Sequence, residues 1–308
     1  MKITVIGAGG VGGYFGGKLA AAGEDVTFVA RGAHLQAMQQ HGLKINSPLG
    51  NVWLPEVNAV DHPAKAAAAD LYIVAVKLWD TADVAAQLQP LITGDTAVLS
   101  LQNGVQKDDI LQRYLPQQNI IGGVSYIAAA IAEPGVIHHG GKLQKLAFGE
   151  YGQPTSARCE AFQQSCQKAG IETDFSDDIA LRIWEKFIFL VGFSGTTTLF
   201  RSNIGPIRSD PAKRQLFRDA MQEVADVAQA KGISVRPDFA EQLLQFTDTL
   251  PADMPSSMKT DLQRGKRLEL PWLSGAVVDM AKQLGLAVPA NQHIVEQLLP
   301  WAMGPASH

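Results

Sequence analysis

Lys2-Ile3-Thr4-Val5-Ile6-Gly7-Ala8-Gly9-Gly10-Val11-Gly12-Gly13 stands at the head of the chain, and Val26-Thr27-Phe28-Val29-Ala30-Arg31-Gly32 follows one helix later. Lys2–Ile6 is a short, β-branched run of the kind buried on both faces of a parallel sheet. Gly10–Ala22 is rich in helix formers, and Gly23 stands where a helix C-cap is expected. Val26–Ala30 reads as the next buried strand. The same grammar recurs at Leu71–Val76, Ala97–Leu101 and Ile120–Val124, with segments between them that can be helical. Strands alternating with helices imply a parallel sheet covered on both faces.

Working outward, the pattern changes between Ser125 and Glu150. Tyr126–Ile131, Gly135–His138 and Lys145–Phe148 are short runs punctuated by Glu133-Pro134-Gly135 and Gly140-Gly141, which predicts antiparallel strands joined by turns. Thr155–Ala169 is expected to be helical and Ile171–Phe175 to be a last strand. Beyond Asp177 no comparable strand signal occurs. Asp178–Phe200, Asp210–Lys231, Pro237–Thr249, Pro271–Leu284 and Asn291–Trp301 read as helices, several with Asp, Ser or Pro near their starts. The expected fold class is therefore an α/β N-terminal Rossmann-type dinucleotide-binding domain over 1–177 plus an all-α C-terminal domain over 178–308. Two domains also suit 308 residues.

Bulk composition narrows the function classes. With 46% hydrophobic and 18% charged residues and mean hydropathy near zero, the chain resembles an ordinary soluble enzyme. A net charge of -4 argues against a nucleic-acid partner, which requires a basic face. Met1-Lys2 leads directly into a strand, so no signal peptide is expected. The run from Phe187 to Phe200 is interrupted by glycines and hydroxyl residues and falls short of a membrane span. Cys159 and Cys166 form neither a redox nor a zinc motif and read as reduced, partly buried residues of a cytoplasmic protein. The seven histidines show no HxxxH or HExxH spacing, so no metal site is expected, and His138-His139 reads as turn or edge surface.

Gly7-Ala8-Gly9-Gly10-Val11-Gly12 matches GxGxxG in the context that gives the string its meaning, after a strand and opening a helix. Gly7 permits the tight turn, Gly9 lets the backbone approach a pyrophosphate, and Gly12 lets the helix pack on the strand. Free N–H groups and the positive dipole end, at Gly10 and Val11, then face the phosphates. At the end of the second strand an NAD site usually carries Asp or Glu. Here Arg31 stands in that place, and no residue nearby in sequence accepts from a ribose 2′-hydroxyl. A guanidinium suits a 2′-phosphate, so the expected cofactor is NADP(H).

Hydride arriving at a carbonyl carbon leaves charge on the oxygen, which requires a proton donor or cation there. Lys186 lies in Ile183-Trp184-Glu185-Lys186-Phe187-Ile188-Phe189-Leu190, apolar nearly all round. A lysine there either snorkels to solvent or faces a polar cavity, and the sequence leaves both open. Lys77 and Asn103 follow the strands Leu71–Val76 and Ala97–Leu101, at the carboxyl ends where doubly wound folds bind ligands, although Gln102-Asn103-Gly104 also suits a plain turn. Ser256 reads as an N-cap and Glu269 as a surface charge beside Arg267.

Together these residues resemble the ketopantoate reductase (2-dehydropantoate 2-reductase) family over nearly the whole chain. The resemblance rests on GxGxxG, Arg31, Lys77, Gln102-Asn103-Gly104, Trp184-x-Lys186 and Ser256-Ser257-Met258 with Asp261. Gly265-x-Arg267-x-Glu269 and Gly285-x-Ala287-x-Pro289 complete it. It implies NADPH-dependent reduction of ketopantoate to pantoate, for pantothenate and coenzyme A synthesis. Lys186 would be the general acid, Glu269 its partner or that of a substrate hydroxyl, and Ser257 the carboxylate binder. Asn103 would lie near the nicotinamide, and Arg31 and Lys77 near the adenosine phosphates.

The pattern departs from the family in one place. The family carries asparagines at i+4 and i+8 from the lysine, where this chain has Leu190 and Ser194. Leucine can neither donate nor accept. Ser194 remains a candidate substrate contact, Asn203 stands further on, and Pro271 replaces a frequent acidic residue. Losing a hydroxyl contact redirects specificity. A second expectation is therefore a more apolar 2-oxo acid or related carbonyl compound as substrate. A third, from another class, is a non-catalytic NADPH-binding sensor, against which the retained Lys186 and Glu269 argue. The apolar second domain makes a homodimer a plausible assembly.

Overall fold

The computed structural model describes residues 1–152 and 156–304. The first element run is β1 (Lys2–Ile6), α1 (Gly10–Ala21), β2 (Asp25–Val29), α2 (Gly32–His41), β3 (Leu43–Asn46), β4 (Val52–Leu54) and β5 (Asn58–Val60). It continues with β6 (Leu71–Val74), α3 (Thr81–Leu88), β7 (Ala97–Ser100), α4 (Lys107–Gln112), β8 (Ile120–Glu133), β9 (Val136–Gly149), α5 (Ala157–Lys168) and β10 (Glu172–Phe175). Only helices follow: α6 (Ile179–Leu199), α7 (Ile204–Ser209), α8 (Pro211–Ala230), α9 (Phe239–Thr247), α10 (Ser257–Gln263), α11 (Ser274–Leu284) and α12 (Pro289–Leu298). Two compact units result, Met1–Arg182 and Ile183–His308, and the division falls inside α6, a few residues beyond the expected 177/178 boundary.

In the first unit β5, β2, β1, β6 and β7 form a parallel sheet in that order. β8 joins its edge through Ile120 and Ile121, then leaves it to run antiparallel with β9. β3 and β10 both add to β9 in parallel, and β4 closes the far edge. The sheet therefore curls, and α1 lies within the curl. A methyl group on Gly12 would fall 2.2 Å from the Gly7 carbonyl oxygen and 2.9 Å from Val5, and one on Gly16 2.6 Å from the Phe28 ring. Toward the other wall, methyl groups on Gly13 and Gly17 would fall 2.9 Å from Ile137 and 2.6 Å from Ile45. Val5, Phe15, Phe28, Ile45, Ile137 and Phe148 belong to the one core that surrounds this helix. A second core, with Ile6, Tyr72, Val74, Leu88 and Leu111, lies on the other sheet face under α3 and α4.

Several sequence expectations need correction. β3, β4 and β5 give no readable signal: at four residues or fewer each, they lack the continuous apolar, buried run that marks the equally short β6 and β7. The three short runs of 125–150 are instead parts of two 14-residue strands. Gly140-Gly141 sits at a register irregularity in their ladder, where Ala128 pairs with Gly140 directly after Ile127 pairs with Gln144. His139 is fully buried rather than surface. Its two ring nitrogens are taken by the Ser47 hydroxyl at 2.9 Å and the Leu143 carbonyl at 3.0 Å, so burial leaves neither unsatisfied. Cys159 and Cys166 are free on α5, and they are fully rather than partly buried. Thr155, the expected first residue of that helix, lies outside the described residues.

In the second unit Asp210 caps α8 by accepting from the N–H groups of Ala212 and Lys213. Pro271 falls in a short turn, so α11 starts only at Ser274. α12 starts at Pro289, earlier than expected. The buried Glu223 carboxylate accepts from the N–H groups of Ala290 and Asn291 at 2.7 and 2.9 Å, holding that end in place. Burial raises the Glu223 pKa, and the hydrogen bonds from Asn291 and Ala290 oppose that shift. Among the described residues no helix is long and apolar enough to cross a membrane.

The packing of α1 gives a direct test. Gly12→Ala would gain about 1 kcal/mol of helix propensity, but its methyl meets a backbone oxygen that cannot yield, and overpacking of this kind costs about 1–3 kcal/mol. The variant is expected to unfold several degrees below the parent in thermal melts. An unchanged or higher Tm would refute the close packing described.

Candidate active site

The glycine loop is shaped from both sides. Gly7 has φ +94°, and a side chain there would stand 2.8 Å from the Val76 backbone nitrogen. Its N–H and that of Ala8 both donate to the Val29 carbonyl, at 2.9 and 3.2 Å, which ties the loop to the end of β2. α1 starts with Gly9 as N-cap, with no side-chain cap and no acidic residue in the first turn. Its first helical bond runs from Gly13 N–H to Gly9 O at 2.7 Å. The N–H groups of Gly10, Val11 and Gly12 thus have no helical acceptor and lie at the positive end of the dipole. A methyl group on Gly9 would meet nothing within 4 Å. Free donors, an open approach and no competing carboxylate fit a dinucleotide pyrophosphate.

The other expected cofactor residues gather at the same carboxyl edge of the sheet. The Gln102 side chain donates to the Val76 carbonyl at 3.0 Å and to the Thr81 hydroxyl at 2.7 Å, and accepts from Ser100 at 3.0 Å. It thereby fixes the segment carrying Asn103 against the segment carrying Lys77. Lys77 precedes a short turn, with its ammonium 5.8 Å from the centre of the Trp79 ring. Arg31 follows β2 with its side chain 72% exposed, and it donates to Asp80 at 2.7 Å. Asp80 corrects one sequence argument. A carboxylate from 49 residues away does stand beside Arg31, although none is near it in sequence.

The second unit holds the remaining candidates. Lys186 is half-buried on α6, between the buried Trp184 and Phe187. Leu190, one turn on, is half-buried, and Ser194, two turns on, is buried with no hydrogen-bond partner for its hydroxyl among the described residues. Glu269 is only 5% exposed, which overturns its reading as a surface charge. Ser257 is exposed at the first position of α10. Its neighbour Ser256 is the buried one. Ser256 caps α10 by accepting from Lys259 N–H at 3.1 Å, and it also accepts from the Thr197 hydroxyl of α6 at 2.7 Å. Asn203 accepts from the Lys259 ammonium. Among the described residues no group of three or more His, Cys, Asp or Glu residues could hold a metal ion.

Asp80 and His34 were missed by sequence reasoning. His34 reaches the Ala8 carbonyl of the loop and Asp80 reaches Arg31, each by a side-chain contact across the fold. A partial signal existed for Asp80, which lies three residues after Lys77.

Comparison with known proteins adds the identity of this framework. The family description "Ketopantoate reductase PanE/ApbA" matches residues 3–153, and its C-terminal counterpart matches residues 178–300. A 2-dehydropantoate 2-reductase of Halobacterium salinarum is 32% identical over 96% of this chain and 97% of its own. An uncharacterized oxidoreductase of Bacillus subtilis, YkpB, is 30% identical over 97% of this chain and 98% of its own. A PanE/ApbA family ketopantoate reductase from Ralstonia eutropha superposes with a TM-score of 0.89 at 32% identity, covering 98% of both chains. With a nicotinamide-dinucleotide loop at one end and family likeness along both units, the chain belongs to the ketopantoate reductase family of oxidoreductases.

Proposed function

We propose that this protein reduces ketopantoate to pantoate with NADPH, with Lys186 as the proton donor. The observation that carries the reading is the open, carboxylate-free start of α1, with Arg31 two residues beyond the Val29 carbonyl that ties the loop, within a chain that is family-like throughout. Gly7, Gly9, Gly10, Val11 and Gly12 would cradle the pyrophosphate. Arg31 and Lys77 would take the adenosine phosphates, and Asn103 would lie near the nicotinamide. When bound, the nicotinamide supplies a hydride to the 2-oxo carbon. Lys186 then gives its proton to the ketone oxygen, which becomes the product hydroxyl. Glu269 would hold the lysine or a substrate hydroxyl, and Ser257 and Ser194 would contact the substrate's polar groups.

A second reading keeps the chemistry and changes the substrate. Leu190 offers no hydrogen bond, which favours a branched 2-oxo acid lacking the primary hydroxyl of ketopantoate. Measuring kcat/KM on ketopantoate and on that unhydroxylated analogue separates the two. Ketopantoate is expected to win, and a clear preference for the analogue establishes the alternative. Leu190→Asn is expected to move the ratio toward ketopantoate.

Lys186→Met is expected to lower kcat by about 10²–10⁴, with NADPH affinity within a few-fold of the parent. A variant that keeps most of its turnover removes Lys186 from the role.

Cofactor choice rests on the Arg31–Asp80 pair. Removing a charge-assisted contact to phosphate should raise the NADPH KM of Arg31→Ala by about tenfold or more, with little change for NADH. Asp80→Asn removes a negative charge beside the same phosphate and should lower the NADPH KM by a few-fold. Equal effects on both cofactors would show that the pair does not read the 2′-phosphate.

A further inference from the structure

His34 has no part in the loop motif, yet its ring joins three segments distant in sequence. It lies near the start of α2, three residues after Arg31, and is half-buried. Its Nε2 is 2.8 Å from the Ala8 carbonyl oxygen, and its Nδ1 is 3.0 Å from the Gly135 backbone nitrogen. A backbone N–H can only donate, so Nδ1 must be the bare acceptor. The proton then sits on Nε2 and is donated to Ala8. Burial holds the ring below its ordinary pKa, which keeps this neutral form populated.

The consequence falls on the peptide between Ala8 and Gly9. The Ala8–Gly9 peptide is trans, as are all peptides among the described residues, so the C=O of Ala8 and the N–H of Gly9 point in opposite directions. Drawing the carbonyl toward His34 turns the Gly9 N–H to the other side of the loop. No backbone acceptor among the described residues takes that N–H. The neighbouring N–H groups of Gly7 and Ala8 are already committed to Val29. Gly135 lies at the turn between β8 and β9, and β8 itself presses on the loop. A methyl group on Gly10 would fall 2.1 Å from the Ala129 carbonyl oxygen. The loop is therefore held between β2, His34 and β8, with one peptide orientation left for the side chain to set.

We propose that His34 is a positioning residue for the dinucleotide, whose Nε2–H, by holding the Ala8 carbonyl, presents the Gly9 N–H to the pyrophosphate. This rests on the reading of Gly7–Gly12 as the NADPH loop. The test measures NADPH dissociation constants by fluorescence titration of the protein without substrate, alongside thermal melts and the KM and kcat for NADPH. His34→Ala should weaken NADPH binding about five- to tenfold, the worth of one positioned hydrogen bond, and raise KM more than it lowers kcat. His34→Gln carries an amide N–H near the place of Nε2 and should recover most of the affinity. His34→Asn restores only an acceptor near Nδ1 and should not. Parental affinity in His34→Ala overturns the proposal, as do equal losses in the Gln and Asn variants with parallel loss of Tm. If the alanine variant does not fold, the contrast between Gln and Asn decides alone. A parent protein that binds no NADPH overturns the loop reading itself, which is a separate and recognisable failure.

Discussion

Helix α1 has nowhere to go, and the architecture follows from that. It is enclosed by a sheet that curls around it, and its glycines let β1 and β2 approach on one side and β3 and β9 on the other. Glycine in a helix costs about 1 kcal/mol per residue relative to alanine. The return is close approach to both walls, which keeps the helix start at a fixed place over the ends of β1 and β2. A dinucleotide loop needs that rigidity, because its donors are backbone groups that no rotamer can correct. The glycines outside the GxGxxG string thus serve the same end as those within it.

The carboxyl edge of the sheet shows how the rest of the half-site is held. Gln102 is buried and spends its donors on Val76 and Thr81, so the segments after β6 and β7 move as one. Neither Lys77 nor Asn103 is in a regular element, yet both hang from strands joined in this way. Arg31, two residues beyond the Val29 carbonyl that ties the loop, reaches Asp80, three residues after Lys77, along this rim. The sign of that rim is mixed, since Asp80 stands beside Arg31. If Arg31 reads the 2′-phosphate as proposed, cofactor choice becomes a balance between a cation and an anion that share one place, rather than a property of Arg31 alone.

The parallel half of the fold was legible because each strand–helix unit is encoded by contiguous residues. β1, α1 and β2 can be read in a single window, and the helices of the second unit announce themselves by caps such as Asp210. Where the sequence misled, the deciding partner was remote. β3 has four residues and acquires its place from β9, more than ninety positions away in the register of Lys44 with Val136. His139 looks like surface until Ser47 and Leu143 supply its hydrogen bonds. Glu269 follows the polar run ending at Arg267 and reads as that arginine's surface partner. Yet it stands between the buried Leu268 and Leu270, and tertiary packing buries it with them. The same holds for His34, which meets Gly135 across 101 positions.

In the proposed function, chemistry and specificity would separate along one face of α6. Reduction of a carbonyl needs a proton donor, and in the proposed role Lys186 would supply it whatever else the substrate carries. Discrimination between substrates needs groups that would be left unpaired by the wrong one. Leu190 cannot impose that penalty, because a leucine facing a hydroxyl forfeits only the hydroxyl's own hydration. The buried Ser194 hydroxyl can, since it has no partner among the described residues and is costly to leave so. In the proposed function the face would therefore keep its reaction while relaxing one of two checks. Substrate range should thus widen toward apolar 2-oxo acids at position 190 before it changes at position 194.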